Sequence, residues 1–126
     1  FQEVYRTTYG MTRTQWRVLA NPGKFCAMTP RDICAISHIE KTKVSRAVAA
    51  LEQAGMLARA PSPSDRRAEL LSLTDRGRAV FADLGRLALA FDRQLRTMLG
   101  EGDARQLVAL LRRLAEAAPP GEAEED

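Results

Sequence analysis

The sequence lacks the features on which membrane proteins, disulfide-bonded proteins and most enzymes depend. No apolar run approaches the roughly 18 residues that a membrane-spanning helix needs. The two cysteines, Cys26 and Cys34, are too few for a disulfide framework, and one histidine without a Cys-x-x-Cys pair argues against an ordinary zinc site. There is also no Gly-rich phosphate loop and no Gly-x-Ser-x-Gly motif. We therefore expect no membrane segment, no metal or cofactor, and no catalytic residues.

The chain does carry an excess of positive charge, and that charge is unevenly distributed. Its 126 residues suit a single domain, and a composition of 45% hydrophobic and 28% charged residues is typical of globular proteins. Residues 1–78 hold 13 basic and 7 acidic side chains, whereas residues 79–126 hold 6 basic and 9 acidic ones. The basic first part suggests a polyanionic partner such as nucleic acid.

Apolar side chains spaced by three and four residues, with capping hydroxyls and terminal glycines between them, predict a mainly helical chain. The predicted helices cover about 1–9, 12–20, 30–37, 41–54, 75–99 and 103–117. Pro22 and Gly23 should end the second helix near Ala20 or kink it, because proline inside a helix removes a hydrogen-bond donor. Between the fourth and fifth helices, two short strands, 56–60 and 69–73, flank a polar tip and predict a β-hairpin.

Two short helices, a tight turn at Ser37–Glu40 and a hairpin together predict a winged helix-turn-helix. In this fold the second helix of the motif fits the DNA major groove, and the hairpin, or wing, reaches the neighbouring groove or backbone. Val44 and Val48 should face the core of the domain. Hydroxyl and basic side chains, which reach base edges and phosphates, can then face outward. They are Lys41, Thr42, Lys43, Ser45 and Arg46.

Residues 65–77, DRRAELLSLTDRG, resemble the wing signature D-R-R-x-x-x-L-x-L-T-x-x-G of MarR-type regulators. Residues 41–55 resemble the recognition helix of that family, and residues 12–19 resemble the start of its second helix. The resemblance covers about residues 10–115, and it implies a dimeric transcriptional regulator, a repressor bound to a palindromic operator on double-stranded DNA.

The resemblance also implies a division of labour within one domain, residues 1–118. Residues 10–74 would bind DNA, while residues 1–9 and 75–118 would pair with a second copy of the chain. The apolar stripe that continues to Leu99 agrees with this, although an intramolecular hairpin of the last two helices is the alternative. Residues 119–126 should form a disordered acidic tail.

Individual roles follow from the same resemblance. Arg67 is expected in the minor groove, held by a charge pair with Asp65, whereas Arg66 and Thr29 are expected at phosphates. A small aromatic or phenolic effector would bind between the winged part and the dimerising helices and release the DNA. Its candidate residues are Tyr9, Arg13, Trp16 and Arg17.

Two other functions compete with a ligand-controlled regulator. Cys26, in the loop before the helix-turn-helix, would suit a redox-sensing regulator, although no cysteine stands in residues 1–9, where the redox-sensing branches of the family carry theirs. A winged-helix module that binds proteins is the other alternative, and the basic wing argues against it. We expect a cytoplasmic protein for the regulator and for both alternatives.

Overall fold

In the computed structural model, which describes residues 2–117, six helices and one β-hairpin follow one another along the chain. The helices are α1 (Gln2–Tyr9), α2 (Arg13–Phe25), α3 (Pro30–Ser37), α4 (Lys41–Gln53), α5 (Asp75–Leu99) and α6 (Glu101–Ala117). Strands β1 (Leu57–Pro61) and β2 (Glu69–Leu73) form the hairpin between α4 and α5. The predicted fold class, mainly helical with a small hairpin wing, is confirmed. The predicted acidic tail lies outside the described residues.

Local side-chain chemistry accounts for the starts of α2, α3 and α5. Thr12 and Thr29 each open a helix with a capping box, in which the hydroxyl accepts from the third residue and that residue's side chain accepts from the threonine amide. Thr74 opens α5 by accepting from the amide of Gly77. His38 follows α3 in the left-handed region, at φ 57°, and turns the chain toward α4.

Of the two outcomes predicted for α2 at Pro22, an end near Ala20 is wrong, because the helix continues through Pro22 to Phe25. Pro22 stands near the end of the helix, so its missing donor affects only the last turn, and its side chain is buried. Gly23 brings this last turn against α5, since a Cβ added there would lie 2.8 Å from the ring of Phe81. Packing against α5 therefore outweighs the local helix-breaking tendency.

The last helix begins at Glu101, two residues earlier than predicted. Gly100 at φ 81° ends α5 by donating to the carbonyl of Arg96, and its own carbonyl accepts from Ala104 in the first turn of α6. A single glycine thus connects the two helices.

The hairpin is antiparallel and runs from the pair Leu57–Leu73 to the pair Pro61–Glu69. Met28 extends it by one bridge to Leu71, with backbone hydrogen bonds of 3.0 and 2.7 Å. The sequence analysis did not anticipate this bridge, which attaches the segment before α3 to the root of the wing.

One hydrophobic core lies under α4 and the hairpin. Its fully buried side chains are Val18, Leu19, Ile33, Val44, Val48, Leu51, Met56, Leu71 and Leu84. Only the first half of α5 contributes to this core, through Val80 and Leu84, and Ala104 is the buried residue that α6 provides within residues 2–117. Beyond Leu84 the large apolar side chains of α5 are exposed, up to 76% at Met98. None of the helices in the described range is long and apolar enough to cross a membrane.

The wing and α5 meet at a joint formed by Gly55, Met56, Thr74 and Gly77. The Thr74 amide donates to the Met56 carbonyl at 3.1 Å, and the Thr74 hydroxyl donates to the Gly55 carbonyl at 2.5 Å. Gly77 faces the Met56 carbonyl so closely that an added Cβ would lie 2.1 Å from its oxygen. These contacts explain why the T-x-x-G part of the motif has a threonine at position 74 and a glycine at position 77.

We predict that Gly77→Ala destabilises the protein by at least about 2 kcal/mol, because the added methyl group overlaps a backbone carbonyl that cannot rotate away. Urea denaturation at a fixed protein concentration measures the free energy of unfolding. Gly85→Ala is the matched control on the same helix, where an added Cβ meets no atom within 4 Å. This control should be neutral or stabilising, by up to about 1 kcal/mol. Equal stability of the two variants would contradict the close approach of Gly77 to the Met56 carbonyl.

Candidate nucleic-acid interface

Helix α4 has one buried face and one exposed face. Val44, Ala47, Val48 and Leu51 are buried against the core. The predicted DNA-facing residues Lys41, Thr42, Ser45 and Arg46 are exposed, whereas Lys43 is half-buried. Four of the five therefore share the side of the helix that faces away from the core.

At the tip of the wing, Arg66 and Arg67 are exposed. Asp65 accepts a hydrogen bond from the backbone amide of Arg67 through Oδ1, at 2.9 Å. The predicted charge pair between Asp65 and the Arg67 guanidinium is therefore replaced by a hydrogen bond to the Arg67 amide. An aspartate reaches the amide two residues further on by forming an Asx turn. Asp65 thus shapes the turn, and the guanidinium of Arg67 stays at the surface.

Thr29 lies at the N-terminus of α3 and is half-buried. Its hydroxyl oxygen accepts from the amide of Asp32 at 3.1 Å, and its own amide donates to the Asp32 carboxylate at 3.1 Å. The hydroxyl proton remains available as a donor, so capping leaves room for a second contact.

A cavity of about 870 Å³ lies beside the helix-turn-helix, between α2, the end of α3 and α5. Trp16 and Phe81 form an aromatic wall, with ring centroids 6.0 Å apart and planes inclined by 28°. Arg17 and Arg86 bring positive charge to the lining. A largely apolar cavity with a few charged groups is typical of a small-molecule site.

Comparisons with known proteins agree with this architecture. A model of the MarR family matches residues 9–68. The HTH-type transcriptional regulator BilQ of Clostridioides difficile (strain CD3) is 24% identical over 104 residues, which are 82% of this chain and 68% of BilQ. The solved structure of Bordetella bronchiseptica BpsR, whose DNA binding is described as regulated by 6-hydroxynicotinic acid, is 26% identical with a TM-score of 0.72 and covers 83% of this chain and 80% of its own.

The fold itself matches a further solved structure, a MarR/EmrR family transcriptional regulator from Acinetobacter sp. ADP1. It has a TM-score of 0.79 at 24% identity, over 92% of this chain and 82% of that one. The chain is similar to MarR-family regulators over most of its length, and its residues 9–68 match the model of that family. It is therefore a DNA-binding transcriptional regulator with a winged helix, and the members of this family are not enzymes.

Arg59 is a wing residue that the sequence analysis missed. Its guanidinium binds Glu52 at the end of α4 at 2.7 Å and Glu69 on β2 at 3.1 Å. The hydrogen bonds to Glu52 and Glu69 raise the pKa of Arg59 above its ordinary value. The group joins the recognition helix to the root of the wing, and only the pairing of the strands could have indicated it.

Of the four predicted effector residues, Trp16 and Arg17 line the cavity, whereas Tyr9 and Arg13 lie outside its lining. The Tyr9 hydroxyl instead donates to Oδ2 of Asp83, and Oδ1 of Asp83 accepts from Arg86 at 2.6 Å. The hydrogen bond to Asp83 raises the pKa of Tyr9, with a smaller contribution from burial. Tyr9 therefore connects α1 to the cavity through Asp83 and Arg86.

Both cysteines are free thiols. Cys26 is exposed and has a positive φ of 64° at the end of α2. Cys34 is half-buried and packs against the core.

Proposed function

We propose that this regulator is a repressor that binds a palindromic operator as a homodimer and is released by a small aromatic acid. The observation that carries the proposal is the exposed polar face of α4 together with the two arginines at the wing tip. A helix of this kind fits the major groove, and a basic hairpin next to it reaches the adjoining minor groove. Since its target is the cell's own DNA, we place the activity in the cytoplasm.

The side chains divide into two groups in this proposal. Thr42, Ser45 and Arg46 have the donors and acceptors that read base edges. Cations and amide or hydroxyl donors at the periphery contact phosphates and set the register on the duplex. They are Thr29, Lys41, Lys43 and Arg66. Arg67 enters the minor groove, supported by the turn that Asp65 forms.

Selection of bound sequences from a random DNA pool tests this function. We expect a palindrome whose two half-sites lie about one helical turn, ~34 Å, apart, because each subunit of a dimer presents one recognition helix. A set of selected sequences without a common pattern would contradict sequence-specific regulation by this interface.

On the selected site, Arg67→Ala should weaken binding, because it removes one cationic contact in each half-site. The plot of log affinity against log salt should become less steep by about one for each lost contact. Titration at several salt concentrations measures both quantities. Arg105→Ala, which removes the same charge from an exposed position of α6, should change neither. A wild-type affinity for Arg67→Ala at moderate salt would rule out the wing contact.

The homodimer rests on the apolar side chains that α5 and α6 leave exposed. They include Leu87, Phe91, Leu95, Met98, Leu99, Leu107, Leu110, Leu111 and Leu114. The two helices do contact each other, as the intramolecular alternative requires, but this leaves Leu114 at 67% exposure. A continuous apolar surface of this kind is unusual for a monomer and suits a second copy of the same surface.

We predict that Leu110→Glu converts the dimer to a monomer, because a carboxylate would be buried in the apolar interface without a partner. Sedimentation velocity measures the oligomeric state. Ala109→Glu adds the same charge at the neighbouring exposed position, about 100° around α6 and outside the stripe of Leu107, Leu110, Leu111 and Leu114, and should remain dimeric. A monomeric wild-type protein, or a dimeric Leu110→Glu variant, would contradict the proposed interface.

The cavity supports the effector part of the proposal. Trp16 and Phe81 offer faces for an aromatic ring, and Arg17 and Arg86 offer positive charge for a carboxylate. BpsR, whose DNA binding is regulated by 6-hydroxynicotinic acid, is a relative with such an effector. Benzoate is a suitable probe, because Trp16 is the only tryptophan of the chain and its fluorescence reports occupancy. Quenching by benzoate together with loss of bound DNA is the expected result, and binding of benzoate without release would contradict the regulatory role.

A further inference from the structure

Arg17 connects the cavity to the helix-turn-helix. Its side chain extends from α2, lines the cavity and donates from Nη2 to the carbonyl oxygen of Ser37 at 2.8 Å. Ser37 is the last residue of α3, where carbonyl groups have no partner within the helix and the helix dipole is negative. The guanidinium therefore caps α3 from a neighbouring helix.

The capped residue controls the turn that leads into the recognition helix. The hydroxyl of Ser37 donates to the carbonyl of Ile33 at 2.5 Å and accepts from the amide of Ile39 at 3.4 Å. His38, between Ser37 and Ile39, occupies the left-handed region at φ 57°, which is unfavourable for most residues other than glycine. Such a turn persists only where its surroundings hold it, and α4 begins only four residues after Ser37.

We propose that Arg17 is a positioning residue for DNA recognition: through Ser37 it fixes the turn and thereby the direction in which α4 presents its exposed face. This goes beyond the proposed effector contact, because it assigns Arg17 a role when the cavity is empty. Arg17 lies in the cavity wall on α2, so its effect on DNA passes through the protein and not through a phosphate contact.

The test compares Arg17→Gln and Arg17→Lys with the wild type on the selected operator, without ligand, over a range of salt concentrations. Arg17→Gln should bind about 2- to 30-fold more weakly, the range found for residues that act through a packed neighbour. The salt dependence should stay unchanged, because no ionic contact with DNA is lost. Arg17→Lys retains a cationic donor on a different stem and should bind with intermediate affinity.

A second measurement does not depend on DNA. Amide hydrogen exchange by NMR should be faster at Ile39 in Arg17→Gln than in the wild type, because the turn is no longer capped. If the wild type selects no operator, the proposed function fails, while the exchange of Ile39 still decides whether Arg17 fixes the turn after α3. If Arg17→Gln does not fold, Arg17→Lys decides alone, by reduced affinity and faster exchange or by wild-type values of both.

Lys24→Gln is the matched control. Lys24 also lies on α2 and lines the cavity, but within the described residues the bond to Ser37 comes from Arg17. Its loss removes a charge from the cavity without changing the turn, so affinity should remain that of the wild type. An equal loss in Lys24→Gln, a less steep salt dependence in Arg17→Gln, or wild-type affinity and exchange in Arg17→Gln would each overturn the proposal.

Discussion

The close approach of Gly77 to the carbonyl of Met56 is the contact on which the arrangement of the other elements depends. Met56 lies between the end of α4 and the start of β1, and Thr74 lies between β2 and α5. The joint therefore connects the recognition helix, both strands of the wing and the long helix within a few residues. Because it consists of backbone atoms and one threonine hydroxyl, it has little freedom to deform, and a displacement of α5 has to carry the wing and the end of α4 with it.

The cavity lies between α2, the end of α3 and α5, and two of its arginines hydrogen-bond to groups of the surrounding elements. On one side Arg17 binds the end of α3, and on the other Arg86 binds Asp83, which in turn accepts from Tyr9 of α1. Both arginines line the cavity, so a carboxylate bound there would compete with a carbonyl on one side and with an aspartate on the other. A ligand that favours one arrangement of these contacts shifts the population of DNA-binding geometries by its difference in affinity, which is what regulation by an effector requires.

Local rules predicted the elements well, because their causes are local. The capping threonines Thr12, Thr29 and Thr74 and the wing motif of residues 65–77 carry their signals in adjacent residues. The failures involve residues distant in sequence: α2 continues past Pro22 because it packs on Phe81, and Tyr9 binds Asp83, 74 residues away, and lies outside the cavity lining. Arg59 and the bridge of Met28 to Leu71 were missed for the same reason. The predicted roles of the DNA-facing residues stay predictions.

The exposed half of α5 follows from the task that we propose for the dimer. A single subunit places one short helix and one wing on DNA, and two subunits joined rigidly add a second set of contacts at a high effective concentration. This gain is obtained only if the distance between the two recognition helices matches the repeat of the duplex. Beyond Leu84, α5 does not pack on the core of the winged part. In the proposed dimer, the helices that set the distance between the two copies of α4 are therefore separate from the helices that read bases. In the proposed regulator, an effector bound between these two parts would alter the spacing while each α4 keeps its own fold.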